Sequence, residues 1–141
     1  MRKIITLISI LLVSLLVTGC GGSASSGTII CTSEAHGENP SIIYYEKYVV
    51  KDNKVTDYIK YNTYDYTDEY LKKVSIDTIY GVYSADKTTK VEKVDANTIK
   101  TTYIEPTNFY KDIESDDMIE TIRASMEDNA FNIYNYTCEI K

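Results

Sequence analysis

Residues 41–64 read SIIYYEKYVVKDNKVTDYIKYNTY, and this stretch decides the fold class. It contains two runs rich in Ile, Val, Thr and Tyr, residue types that favour β-strands. Asp52-Asn53 separates the two runs, and both residue types are common in tight turns. The stretch therefore predicts a hairpin with strands over 41–51 and 54–64.

The rest of the chain extends this pattern on both sides of the hairpin. A strand is predicted over 28–34, before the hairpin. Capping residues and apolar side chains at helical spacing predict two helices. The segments after the hairpin are a helix over 67–83, a hairpin over 90–105, a helix capped by Ser115 and a strand over 131–141. We expect an α+β fold in the order βββ-α-ββ-α-β, with a single antiparallel sheet and two helices against one face.

The first residues are typical of a bacterial lipoprotein leader. Arg2 and Lys3 form a positive start, an apolar run follows, and Leu16-Val17-Thr18-Gly19-Cys20 looks like a lipobox. We expect residues 1–19 to be a cleaved signal peptide and Cys20 to be the lipidated first residue of the mature chain. Palmitate-type acyl chains would then hold the protein on the extracytoplasmic face of the cell membrane, at about 0.8 kcal/mol per buried methylene.

A permanent transmembrane helix is the main alternative for this leader. A span needs about 20 apolar residues, whereas the run over 4–17 has about 14 and no charged flank after it. An uncleaved anchor and an ordinary secretory signal also remain open, and each places the folded part outside the cytoplasm. Residues 20–27 are predicted to be the lipidated cysteine with a flexible Gly- and Ser-rich tether, and residues 28–141 a single extracytoplasmic domain.

The charge balance argues against nucleic-acid partners. The chain has 15 basic and 21 acidic side chains, and loss of Arg2 and Lys3 with the leader lowers the net charge from −6 to about −8. Binding to nucleic acid or to anionic lipid depends on basic residues matched to phosphate charge. We therefore expect the lipid, and not the protein surface, to supply most of the membrane affinity.

Two cysteines remain once Cys20 is assigned to the lipid. Cys31 lies in the first predicted strand and Cys138 in the last, and an oxidising exterior favours a disulfide between them. Two buried free thiols are the alternative. We expect no metal, because tetrahedral zinc needs four ligands and only His36 could join the two thiols. No cofactor signature was found either.

The sequence offers no catalytic set. His36 is the only histidine, so no triad or dyad of a familiar type can form around it. Carboxylates group near Asp68 and near Asp116, but acidic residues are expected at helix starts because of the helix dipole. We therefore predict a non-enzymatic protein with no catalytic residues.

Tyrosine is abundant, with 14 residues, and there is no tryptophan. Neighbours such as Tyr44 and Tyr45 point to opposite faces of a strand, so both cannot lie in one core. We interpret Tyr45, Tyr58 and Tyr64 as a possible contact surface for a protein or a glycan, since tyrosine is well suited to interfaces. The alternative is an AT-rich genome, with rings lying half-buried along a sheet.

The order of these segments resembles the YehR-like small bacterial lipoproteins. The resemblance rests on the lipobox, the hairpin centred on Tyr48-Val49-Val50-Lys51-Asp52-Asn53-Lys54-Val55, and a helix ending near Tyr80-Gly81-Val82. Paired strands and the step from Met126 to Phe131 into the last strand complete it. It covers most of the mature chain, and it implies an envelope lipoprotein of uncharacterised function.

Three functional hypotheses follow from these observations. The leading one is a non-enzymatic binding or assembly module of the cell envelope, membrane-anchored by lipid, whose contact surface lies on the 41–64 hairpin. The second is an inhibitor or accessory subunit of an envelope enzyme, acting through an acidic loop. The third is a small hydrolase, which the lack of a nucleophile and base pair argues against.

Overall fold

The computed structural model describes residues 25–37, 39–128 and 134–141. The strands are β1 (Gly27–Ala35), β2 (Ser41–Lys51), β3 (Lys54–Asp65), β4 (Thr89–Lys93), β5 (Thr98–Tyr103) and β6 (Thr137–Ile140). They form one six-stranded sheet in the order β4-β5-β3-β2-β1-β6, and every neighbouring pair is antiparallel. The prediction of an α+β fold with a single antiparallel sheet is confirmed.

Three helices, and not two, occur among the described residues. They are α1 (Asp68–Leu71), α2 (Ile76–Ser84) and α3 (Met118–Glu127), which gives the order βββ-αα-ββ-α-β. The predicted helix over 67–83 is interrupted because Ser75 is extended, and its hydroxyl accepts a hydrogen bond from the Thr78 amide at the start of α2. The expected order and helix count were therefore wrong at this point.

The central hairpin is shaped by its turn and by one bulge. Asp52 and Asn53 have φ of 51° and 57°, as a two-residue type I′ turn requires. Lys51 pairs with Lys54, but the register shifts between Val49 and Val50. The bulge inserts one extra residue into β3. From Val49 towards the start of β2, each residue therefore pairs with a β3 residue one position later than strict pairing from the turn would give.

Alternation along the strands sorts the side chains into two faces. One face, which we call the covered face, packs against the helices. At one end of it, Ile29 and Tyr48 form a buried cluster with Ile122 of α3. At the other end, Ile99 forms a second cluster with Ile79 of α2. Both helices therefore lie on the same side of the sheet.

The other side of the sheet, which we call the open face, carries no buried residue among those described. Its members alternate in register with the covered residues and are half-buried or exposed. They are Ile30, Ile43, Tyr45, Lys47, Val49, Ile59, Tyr61 and Lys100. Neither of the two buried clusters contains any of them.

The last strand closes one edge of the sheet. Cys138 pairs with Cys31, and their sulfur atoms are 2.02 Å apart, as in a disulfide. The predicted pair is thus brought together, with a sequence separation of 107. β6 is shorter than the strand predicted over 131–141: Tyr134 to Tyr136 precede it, and residues 131–133 lie outside the described part.

The chain enters the sheet beside the β2–β3 turn. The Asn53 amide donates to the Ser25 carbonyl (2.8 Å), and the Asp52 amide donates to the Ser26 hydroxyl (3.0 Å). The final residues of the predicted tether therefore contact the sheet, and β1 starts at Gly27. Within the described ranges, none of the helices combines the length and the apolar character needed to cross a bilayer.

Candidate contact surface

A stacked tyrosine pair lies at the centre of the open face. Tyr45 on β2 pairs with Tyr61 on β3, and their ring centroids are 4.2 Å apart with the planes inclined by 12°. The Lys100 Nζ atom lies over the Tyr61 ring, 4.0 Å from its centroid. Tyr45 and Lys100 come from strands on opposite sides of β3, so they contact opposite faces of the Tyr61 ring.

Aliphatic side chains surround this stack. Ile43 lies two residues from Tyr45 on the same face and is 41% exposed. Ile30, Val49 and Ile59 continue the apolar area towards the β2–β3 turn and are half-buried. Partial burial, followed by the nearby Tyr45 phenol, raises the pKa of Tyr61, so its hydroxyl is neutral. The open face thus combines ordered aromatic rings, aliphatic side chains and a lysine, a composition suited to molecular contacts.

The three tyrosines predicted as a contact surface do not share a face. Tyr45 is on the open face, whereas Tyr58 and Tyr64 are on the covered face. Tyr58 stacks on Tyr48 at 4.6 Å, and Tyr64 packs with Tyr83 of α2 at 4.8 Å. The predicted trio is therefore divided between the two faces, and of the three only Tyr45 lies on the open face, where it stacks on Tyr61.

Sequence reasoning missed Tyr61 because of the bulge. Strict pairing outward from the Asp52-Asn53 turn would set Tyr45 opposite Lys60. The register shift moves Tyr61 into that place instead. The alternation of Ile59 and Tyr61 along β3 places the two residues on one face of that strand. It does not show which residue of β2 lies opposite Tyr61.

The covered face holds a second functional candidate, the buried carboxylate of Glu46. It is 6% exposed, and its tyrosine partners belong to the apolar cluster beneath α3 or pack against it. It accepts hydrogen bonds from the hydroxyl groups of Tyr48 (2.5 Å), Tyr58 (2.6 Å) and Tyr136 (3.1 Å), and the Lys60 Nζ atom is 3.1 Å away. Three separate segments of the chain supply these groups.

The electrostatics of this network keep Glu46 charged. Burial acts to raise the pKa of Glu46, but the hydrogen bonds from Tyr48 and Tyr58 together with the Lys60 charge outweigh it, so the net pKa is lowered. Burial and the adjacent carboxylate raise the pKa of Tyr48, Tyr58 and Tyr136. Glu46 is therefore an ionised acceptor for neutral phenols, which is a stabilising arrangement and a poor general acid.

The remaining predicted residues are placed as follows. His36 is exposed in the connection after β1, with its Nε2 atom 3.3 Å from Glu34. Cys20 and the leader lie outside the described residues. Among residues that are described, no three His, Cys, Asp or Glu side chains are grouped in a way that could hold a metal ion.

Comparison of this chain with protein-family models, with curated proteins and with solved structures found no match in any of the three.

Proposed function

We propose that this protein is a lipid-anchored lipoprotein of the extracytoplasmic membrane face that works as a non-enzymatic binding or assembly module. Its partner is an envelope protein or glycan, and its contact surface is the open face. The leader and the lipobox ending at Cys20 support the anchor, as does the resemblance to the YehR-like small lipoproteins. The anionic surface of the mature chain argues against nucleic acid as the partner.

The observation that carries the binding proposal is the Tyr45–Tyr61–Lys100 stack. Each side chain is already held by its neighbours, so binding does not require it to be ordered. Tyrosine offers a large contact area and a hydroxyl group, and it is enriched where proteins recognise one another. Folding does not require a stacked pair on the face of the sheet that no helix among the described residues covers.

The first experiment tests the anchor. Mass spectrometry of the protein extracted from cell membranes should find a mature chain beginning at Cys20 with acyl groups on its sulfur. A Cys20→Ser variant is the matched control, and it should keep its leader and lack the acyl mass. An unmodified Cys20 in the membrane-extracted protein would contradict the anchor.

The second experiment tests the surface. Cross-linked partners should be captured from intact cells by the parent protein and lost when Tyr45→Ser and Tyr61→Ser are combined. The control is Tyr70→Ser, because Tyr70 is 36% exposed and stacks on Tyr66 away from the open face. Equal capture by the double variant and the control would contradict the proposed surface.

A second candidate is an inhibitor or accessory subunit of an envelope enzyme. The observation that favours it is the connection between β5 and α3, which carries Asp112, Glu114 and Asp116 in exposed positions. Co-purification of a wall hydrolase or a protease that is lost when these three carboxylates become amides would support this role. Retention of such an enzyme would exclude the loop as its binding site.

A further inference from the structure

The connection between β5 and α3 presents apolar side chains to the surroundings. Phe109 is 77% exposed and Ile113 is 43% exposed, whereas the intervening Tyr110 is buried at 8%. Tyr110 packs edge-on against Tyr48, with ring centroids 5.4 Å apart. The segment is thus fixed to the sheet by one ring while its other large apolar side chains face outward.

This segment is held compactly by local hydrogen bonds. The Asn108 side chain accepts from the Tyr110 amide (3.0 Å), and the Tyr110 carbonyl accepts from the Ile113 amide (3.3 Å). Phe109 and Ile113 are therefore presented on a short, ordered turn. Two large apolar side chains exposed on one short turn are a candidate site of contact.

The same segment lies at the end of the sheet where the chain enters. The Asn53 side-chain amide donates to the Asp116 carbonyl (2.9 Å), and its backbone amide donates to the Ser25 carbonyl (2.8 Å). Ile113 lines a surface cavity of about 310 Å³ together with Asp52 and Lys54 of the β2–β3 turn. Ser25, the β2–β3 turn and residues 113–116 of the connection therefore lie at one end of the molecule. Phe109 is held towards the same end, because its neighbour Tyr110 packs on Tyr48, four residues before the turn.

The proposed anchor brings that end close to lipid. Ser25 is five residues after Cys20, and five residues span at most about 18 Å when fully extended. The opposite end of the sheet is more than about 30 Å further away, because β2 has 11 residues between the two ends. An acylated Cys20 therefore holds the Phe109 end, and not the other end, next to the bilayer.

We propose that Phe109 and Ile113 contact the interfacial region of the bilayer that carries the protein's own acyl anchor. This inference rests on the proposed lipidation of Cys20. Aromatic and aliphatic side chains gain free energy in the lipid interface, and the contact orients the domain with its strands rising from the membrane. Asp112, Glu114 and Asp116 flank the apolar residues, so the contact favours a neutral lipid surface over an anionic one.

The absence of tryptophan from the chain permits a direct test. Phe109→Trp introduces a single indole at the proposed contact, and Val94→Trp introduces one at the opposite end of the sheet. Val94 is a suitable control because its side chain is 57% exposed. It directly follows β4, where its amide donates a hydrogen bond to the Thr98 carbonyl. Both substitutions replace an exposed apolar side chain, and circular dichroism would confirm that both variants fold.

The acylated mature variants, beginning at Cys20, are incorporated into phosphatidylcholine vesicles whose lipid acyl chains either carry bromine or lack it. Bromine should quench the Phe109→Trp fluorescence at least three-fold more than the Val94→Trp fluorescence, and only the former emission should shift to shorter wavelength. Equal quenching in proteins that float with the vesicles would overturn the inference and leave the anchor standing. Failure of the parent protein to float with the vesicles would overturn both the anchor and this inference.

Discussion

The β2–β3 hairpin carries one stacked tyrosine pair on each face, and the surroundings of the two pairs differ. Tyr48 and Tyr58 on the covered face lie beneath α3 and donate hydrogen bonds to the buried Glu46. Tyr45 and Tyr61 on the open face lie beside Lys100 and have no helix above them among the described residues. Stacked tyrosine pairs with similar ring separations, 4.6 and 4.2 Å, are thus used for folding on one face and are available for contact on the other.

The two faces differ in whether the tyrosine hydroxyl groups have a buried charge to satisfy. On the covered face, tyrosine hydroxyl groups satisfy a charge that would otherwise be unpaired in the core, so each hydroxyl is part of a connected network. On the open face, water can satisfy the hydroxyl groups, and the rings are held by each other. Substitutions should therefore affect stability on one face and binding on the other.

The largest effect is expected for Glu46→Ala. Removing the carboxylate leaves the Tyr48 and Tyr136 hydroxyl groups buried without their acceptor, and it should lower the free energy of unfolding by about 3 kcal/mol. Urea denaturation of the purified domain measures this. The control is Glu92→Ala, which breaks an exposed, solvent-screened ion pair with Lys90 and should leave the free energy of unfolding nearly unchanged. Similar losses for both variants would contradict the role of Glu46.

A smaller effect is expected when one hydroxyl group is removed from each pair. Tyr48→Phe deletes a hydrogen bond to a buried charge and should lower the free energy of unfolding by about 1.5–3 kcal/mol. Tyr45→Phe deletes a hydroxyl group on the open face and should change it by less than about 0.5 kcal/mol. The urea midpoints of the two variants and the parent protein, measured under the same conditions, test this difference. Equal shifts of the midpoint for the two variants would contradict the contrast between the two faces.

The stability should also fall in acid because of Glu46. Its folded-state pKa is lowered, so its contribution is present above the unfolded pKa near 4.5 and is lost as the pH falls through the folded pKa. The free energy of unfolding of the parent protein should therefore decrease more steeply between pH 5 and pH 3 than that of Glu46→Gln. Parallel pH profiles for the two proteins would show that Glu46 is not responsible.

Only a small stability effect is expected for Tyr45→Ser combined with Tyr61→Ser. Cross-strand aromatic pairs contribute roughly 0.2–1 kcal/mol, so the double variant should remain folded and unfold at a similar urea concentration. Partner capture should nevertheless be lost, as proposed above. If the double variant unfolds, the Tyr45–Tyr61 pair is needed for folding, as the covered pair is, and the proposed contrast between the two faces is contradicted.

Local sequence signals predicted much of the fold. The Asp52-Asn53 turn and the strand-forming residues around it located β2 and β3 to within one residue. The break between α1 and α2 was overlooked, although Ser75 has the residue type of a helix cap. A local pattern is sufficient for these features because turns, caps and alternation depend on neighbours in the chain.

The sites were harder to predict because they depend on distant residues. A glutamate in a strand usually faces solvent, whereas Glu46 is buried in a network that includes Tyr136, 90 residues away in the sequence. The pairing of Tyr45 with Tyr61 depends on a bulge in β3, and no residue type in the sequence predicts that bulge. Alternation alone separated Tyr44 from Tyr45 but could not say which of them the helices would cover.

The most direct test of the open face as a contact surface is lysine labelling on intact cells, read by mass spectrometry and compared with the purified protein. Lys47 and Lys100 lie on the open face, whereas Lys72 and Lys87 are exposed elsewhere. We expect Lys47 and Lys100 to react at least three-fold more slowly on cells, with Lys72 and Lys87 unchanged. Equal reactivity of all four lysines on cells and in the purified protein would contradict the account.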